Sequence, residues 1–429
     1  MKRPTLLAAS ALLALSMYAQ SPSIAAFDRA SVTKVEHKDT TEYFITLHAN
    51  APKLQNIHNV PRFAILGKEG DFYLGLGTNI SAVAVYDFGA PISDPNAFVT
   101  SAIPMNLPPG NGAQVKFSGQ QSTIYLNVVG LPGSKDQIGA YVSFNFYGDK
   151  YTPHLKHAYL KYRNITAGYT YSIFTDIGAC PATIDYEGPN AFTAMTHGTI
   201  AYEPFIDKQK KWRVGVGLDM PENSYTDAAH TATVTQRVPD IPFYIQHSYC
   251  DNDAWIRLSG IVRNMYYRNE IAQKNVDEVG WGVKVSGTTP LFGDLSAYYQ
   301  GVYGKGIASY IQDLSGGGLD LMPQGDNAAN IKPVEVWGAL GALQYNFSPR
   351  CFATAIYSHV RTYAKPYTTA AATPWGDNFK YAQYVCANVF YDINSIVQVG
   401  AEYLYGRRVD YSGLSSHDNR LQGLLRVSF

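Results

Sequence analysis

From Asp71 to Phe429 the chain returns repeatedly to segments that alternate, residue by residue, between apolar side chains and small or polar ones. Over residues 71–88 one phase reads Phe72, Leu74, Leu76, Thr78, Ile80, Ala82, Ala84, Tyr86 and Phe88. The other reads Asp71, Tyr73, Gly75, Gly77, Asn79, Ser81, Val83, Val85 and Asp87. A strand sends successive side chains to opposite faces, so such a segment meets an apolar medium on one side only. The same period returns at Trp212–Met220, Ile256–Arg263, Val279–Ser286, Val397–Tyr405 and Arg420–Phe429. Strands are predicted to begin near residues 71, 113, 138, 154, 165, 194, 212, 238, 254, 276, 294, 334, 351, 379, 395 and 419, sixteen in all. No window competes as an amphipathic helix.

The connections alternate in length. Arg163-Asn164, Asp207 to Lys211, Cys250 to Asp253, Gly293-Asp294, Ser348 to Arg350 and Asp392 to Asn394 are short. Gly89 to Gly112, Thr175 to Phe192, Pro221 to Arg237, Ala308 to Pro333, Thr362 to Asn378 and Arg408 to Asp418 are long. Short periplasmic turns and long external loops are the habit of outer-membrane barrels. The predicted fold class is all-β: a transmembrane antiparallel up-and-down β-barrel of about 16 strands. Both termini fall on the periplasmic side, and a barrel of that size leaves an aqueous channel. A soluble secreted β-sheet binding protein is the alternative architecture.

Residues 1–19 carry Lys2 and Arg3 ahead of an apolar run too short to span a membrane, then small residues around Ala19. They read as a secretory signal peptide. Residues 20–70 are polar and weakly periodic, with Pro52 and Pro61, and read as a periplasmic N-terminal arm. Residues 71–429 form the barrel, placed in the bacterial outer membrane with lipid as its outer neighbour.

Composition narrows the function. Charged residues make up only 16% of the 429, with zero formal net charge, 33 Tyr and 37 Gly. Nucleic-acid binders are basic and disordered chains are highly charged, so both are excluded. Cys180, Cys250, Cys351 and Cys386 form no CxxC, and sequence leaves all three pairings open. No zincin, phosphate loop or nucleophile elbow occurs, so no metal, cofactor or catalytic residue is assigned. An outer-membrane barrel enzyme of protease or lipase type remains the functional alternative.

Charge sorted by face carries the functional reading. The inward phase holds Lys161, Arg213, Arg257, Arg263, Lys284, Arg420 and Arg426, against Asp71, Asp219 and Glu402, with His157 further round. Cations in a low-dielectric wall concentrate anions, and Arg offers a fork suited to carboxylates. Passive diffusion of small hydrophilic, anionic solutes follows, carboxylates above all. The third external connection, Thr175 to Phe192, is expected to fold inward. It would set Asp176, Asp185 and Glu187 at the constriction, facing the basic wall. Small outward residues Ala82, Ala84, Ala140 and Gly423 mark the expected contact between subunits.

Two stretches resemble the DcaP-like family of trimeric outer-membrane porins. The first is His154-Leu-Lys-His-Ala-Tyr159 with Ala167-Gly-Tyr-Thr-Tyr-Ser-Ile-Phe-Thr-Asp176 and Cys180-Pro-Ala-Thr-Ile-Asp185. The second is Gly280-Trp-Gly-Val-Lys-Val-Ser286 with Gly304-Lys-Gly-Ile-Ala-Ser-Tyr-Ile-Gln-Asp313. Tyr169 and Tyr171 stand where the family pattern has Gln and Trp. The resemblance implies a homotrimer with one pore per subunit and uptake of small anions. The last strand, closing on Phe429, resembles the signal read by the barrel-assembly machinery.

Overall fold

The computed structural model describes residues 29–36, 41–48, 63–67, 71–132, 134–226, 230–250, 253–323, 329–364 and 379–429. The segment 1–19, expected to be a signal peptide, lies outside them.

The chain closes into one antiparallel barrel of sixteen strands. They are β1 (Phe72–Gly89), β2 (Ala113–Ser118 and Thr123–Gly130, broken between), β3 (Ile138–Asn145), β4 (His154–Tyr162), β5 (Ile165–Tyr171) and β6 (Thr196–Tyr202). Next come β7 (Trp212–Asp219), β8 (Ile241–Tyr249), β9 (Ala254–Asn269), β10 (Lys274–Phe292) and β11 (Leu295–Lys305). The last five are β12 (Glu335–Ser348), β13 (Cys351–Thr362), β14 (Phe379–Asp392), β15 (Val397–Asp410) and β16 (Ser415–Ser428). Each starts within a few residues of its predicted place.

The seam is β16 against β1, with Gly423 opposite Ala84. Thr78 and Phe429 exchange backbone hydrogen bonds of 2.9 and 2.8 Å at its foot. Phe63–Leu66 continues that edge by pairing with Tyr73–Leu76, so barrel pairing takes in residues ahead of Asp71. Arg29–Glu36 pairs with Thr41–His48 as a hairpin. Closure leaves no unpaired edge, which a bilayer requires.

The outward phase is an apolar belt. Leu76, Ile80, Tyr86, Phe117, Ile200, Phe243, Leu258 and Leu425 are all exposed, Phe117 to 75%. Such a surface is stable only against lipid or another apolar surface, which removes the soluble alternative.

The inside departs from a simple wide tube. The core residues lie within the barrel, between the wall and loops folded into it. Phe98, Ile103, Phe174, Tyr310 and Ile311 are at most 1% exposed. They come from the loop after β1 (L1), the loop after β5 (L3) and the loop after β11 (L6). Inward glycines make room for them. A Cβ at Gly338 would stand 2.8 Å from that of Ala191, and one at Gly406 2.7 Å from the Phe98 ring.

The last connection is shorter than predicted. Strand pairing runs on to Val409 and Ser415, leaving a turn at Tyr411–Leu414 in place of a loop from Arg408 to Asp418. Above the membrane a strand has no apolar phase to keep, so Ser415 to Asn419 reads as loop. Among the described residues there is no α-helix, and all four cysteines are free.

Candidate functional site

The loop-filled lumen is the candidate site. L3 (residues 172–195) crosses it and is hydrogen-bonded to strands from β9 round to β15. Asp176, at its start, accepts from Trp255 Nε1 (3.1 Å) and Ser286 Oγ (2.7 Å), with Arg257 Nε 3.8 Å away. Lys284 donates to Thr193 Oγ1 (2.9 Å) and to the Phe174 carbonyl, whose ring lies 4.9 Å from its Nζ. Gln300 bonds the Ala191 carbonyl at 2.8 Å, and Ser358 Oγ accepts the Ala191 amide at 3.0 Å.

The far end of L3 sits on Glu402. Its carboxylate accepts the backbone N–H groups of Ile184 and Asp185, both at 2.8 Å, and the side-chain amides of Asn388 (2.9 Å) and Gln422 (2.6 Å). Glu402 is 3% exposed. Four donors on one carboxylate satisfy a buried charge without a cation. This anchoring role was missed in sequence, which shows only an inward acid.

Asp185 and Asp313 tie the three loops together. Asp185 accepts from the Phe98 amide of L1 (2.9 Å) and from Tyr384 OH (3.0 Å). Burial, and then Glu402, push its carboxyl up to about 7 against the opposing Phe98 bond. Asp313 of L6 accepts from the Thr100 amide (2.9 Å), Thr100 Oγ1 (2.5 Å) and the Ser101 amide (2.7 Å). Burial holds its carboxyl at about 7 despite those bonds. Glu187 is 2% exposed and lies well above the ordinary carboxylate range, first by burial, then by Asp313, Asp185 and Asp94.

The basic residues divide into two groups. Arg263, Lys284 and Arg420 are fully enclosed. Arg263 pairs with Asp240 (2.8 Å) and Asp320 (3.2 Å), which fastens L6 to the wall. Arg420 pairs with Asp87 (2.5 Å) and donates to the Asp94 carbonyl (2.8 Å), which fastens L1. The second group keeps partial exposure. Arg257 lies over the Tyr244 ring at 4.1 Å and is held by Gln246 Oε1 at 2.7 and 2.9 Å. Arg213 lies 3.8 Å from Glu203. Arg426 reaches Ser81 and Gln398, and Lys161 is half-buried. His157 is enclosed between the Tyr141 and Tyr171 rings, with Thr170 Oγ1 3.3 Å from Nδ1. Arg213 and Arg257 thus share one wall, while Arg420 and Arg426 stand on β16 at the seam.

Sequence reasoning named Asp219 as an inward acid but missed His197 and the buried pair the two form at 3.1 Å, covered by the Tyr310 ring. Neither is more than 1% exposed, so no substrate reaches them at a barrel rim.

No family model matches the chain. No curated protein matches it either. Solved structures do. The outer-membrane channel DcaP of Acinetobacter baumannii superposes with a TM-score of 0.71 at 18% identity, over 85% of this chain and 99% of that one. In-vitro folded OmpT of Vibrio cholerae, in its trimer form, gives 0.51 at 11% identity, over 83% and 99%. OprB of Pseudomonas putida gives 0.51 at 10% identity, over 83% and 94%. The chain has the fold of outer-membrane channels.

Proposed function

We propose that this chain is an outer-membrane porin that lets small hydrophilic anions, carboxylates in particular, diffuse passively through a lumen narrowed by L1, L3 and L6. One observation carries the reading. Of the acids of L3, Asp176 is spent on Trp255 and Ser286 and Asp185 on Phe98 and Tyr384, while Glu187 is only 2% exposed. Arg213, Arg257, Arg426 and Lys161 are basic wall residues that keep partial exposure, with Glu203 beside Arg213 as a partly exposed acid. The charge met by a passing solute is therefore net positive, which favours anions. Asp176, Asp185 and Glu187 act as the frame of the constriction in this reading, and the basic wall provides its selectivity.

Three copies assemble through the seam. Ala84, Gly423 and Ala401 fall in one row of the register, flanked by Phe117, Val389, Tyr86 and Leu421. They line an apolar groove of about 680 Å³ on the barrel exterior. Small residues let a neighbouring barrel approach closely. The final strand ending in Phe429 serves as the assembly-machinery signal.

Liposome swelling tests the channel reading. Proteoliposomes should swell faster in a small carboxylate salt than in a cationic amine salt of equal size. Equal rates, or faster entry of the amine, would overturn the anion preference. No swelling with either solute would overturn the porin reading itself.

A further inference from the structure

Where L1, L3 and L6 meet, hydrogen-bond acceptors face one another. Neither carboxylate oxygen of Glu187 has a donor among the described residues. Gln312 of L6 gives its amide nitrogen to the Glu187 carbonyl. A carbonyl only accepts, so this bond fixes which end of the amide is nitrogen. The amide oxygen of Gln312, 3% exposed, is likewise left without a donor. Asp313 follows in the chain, and its charge acts on Glu187 ahead of Asp185 and Asp94. L3 and L6 run alongside each other here: the Gln312 amide bonds the Phe192 carbonyl at 3.0 Å, and the Asp313 amide bonds the Asn190 carbonyl at 3.3 Å.

Arg408 is paired with Asp410 at 2.9 Å and is the weakest of the influences on Asp313, behind burial and three hydrogen bonds, so the two carboxylates of this dry seam still lack a positive partner of their own among the described residues. Every unsatisfied atom at this junction is an oxygen, which selects a hard cation and not a metal that prefers sulfur or imidazole. No group of three or more His, Cys, Asp and Glu gathers for a metal among the described residues, so amide and carbonyl oxygens must complete the shell. Irregular loop oxygens suit calcium, which tolerates six to eight ligands in flexible geometry; magnesium demands a near-ideal octahedron.

We propose that Glu187, Asp313 and the amide oxygen of Gln312 form a calcium site that staples L3 to L6 inside the barrel. Through the bonds of Asp313 to Thr100 and Ser101, the same ion steadies L1. The site goes beyond the channel reading and is tested without it.

The test is calorimetric titration of calcium chloride into the full-length, detergent-solubilised protein, stripped with a chelator, at pH 8. One saturable site per chain is expected, in the millimolar range or tighter. Glu187→Gln and Asp313→Asn should each weaken it at least about tenfold, and magnesium should bind at least about tenfold more weakly than calcium. Glu278→Gln, at the partly buried pair with Lys332, should leave it unchanged. Circular dichroism verifies the fold of each variant, and Glu187→Asp, which keeps the charge on a shorter arm, should weaken binding if Glu187→Gln fails to fold. No calcium heat from the folded wild type would overturn the site and leave a shared proton as the neutralising group. Equal binding by wild type and Glu187→Gln would place any calcium elsewhere and overturn it too.

Discussion

Glu402→Ala removes the seat of L3 without touching the loop. Four hydrogen bonds end on this carboxylate, but they are not equivalent. Asn388 also donates to the Ala182 carbonyl at 2.8 Å, and the Gln422 amide, though 4% exposed, is carried on rotatable side-chain bonds that can re-aim it. The amides of Ile184 and Asp185 belong to the main chain and stay buried without a partner. A hydrogen bond to a charged group contributes ~1.5–3 kcal/mol, and an orphaned buried donor costs ~1–3 kcal/mol. Two such donors set the loss at about 3–5 kcal/mol. One effect opposes it: Asp185 no longer faces a like charge. Burial is the larger cause of the raised Asp185 carboxyl, so the relief returns only part of the loss. At 1.4 kcal/mol per decade, the unseated loop becomes roughly 10²–10³ times more populated. Glu402→Gln should fall between, because its amide keeps one acceptor oxygen and turns a donor toward the second N–H.

Hydrogen exchange at Ile184 and Asp185, with single-channel conductance beside it, reads the effect. Both amides should exchange about 10²–10³ times faster in Glu402→Ala, following the loop equilibrium. Conductance should rise and become noisier, while the thermal transition of the barrel holds. Unchanged protection at the two amides would refute the seat, whatever the conductance does.

Three further outcomes follow from the same contacts. Deleting residues 181–189 should raise conductance in the folded protein; an unchanged value would show that L3 does not set the constriction. The carboxyls of Asp185 and Asp313, raised to about 7, ionise readily only once the loops leave their seats, where ordinary carboxylates titrate near 4. Loop stability from these groups is therefore full below about pH 4 and declines until about pH 7, by at most ~1.4 kcal/mol per pH unit and group; hydrogen exchange of L1 and L3 should accelerate over that window, and a flat profile would count against it. Arg263→Met leaves Asp240 and Asp320 buried without their cation, a loss of ~3–5 kcal/mol, and limited proteolysis should then cut L6 while the strands stay intact.

The strands were legible because lipid outside and a polar lumen inside impose a period of two on every crossing. Even the segments predicted near 194, 238 and 334 begin at Thr196, Ile241 and Glu335. The filling of the lumen was not legible. Phe98, Ile103, Tyr310 and Ile311 stand in aperiodic loops, and their burial depends on partners up to several hundred residues away, such as the glycine at Gly406. The phase argument also fails where a strand bulges. In β4 the pairing slips at Lys156, since Ser143 of β3 faces His157 and Phe144 faces Leu155, so that Lys156 and His157 are both turned inward, whereas strict alternation admits only His157. The inward charges were visible one by one. Their pairing was not, since Arg263 finds Asp320, and Arg420 the Asp94 carbonyl, only through the folded loops.

The reversal potential of the reconstituted protein in a potassium chloride gradient tests the central claim most directly. An anion-selective lumen gives the sign set by chloride, and Arg257→Ala combined with Arg213→Ala should move that potential toward zero. A potential of the sign set by potassium, or one that the double substitution leaves unmoved, would contradict the account.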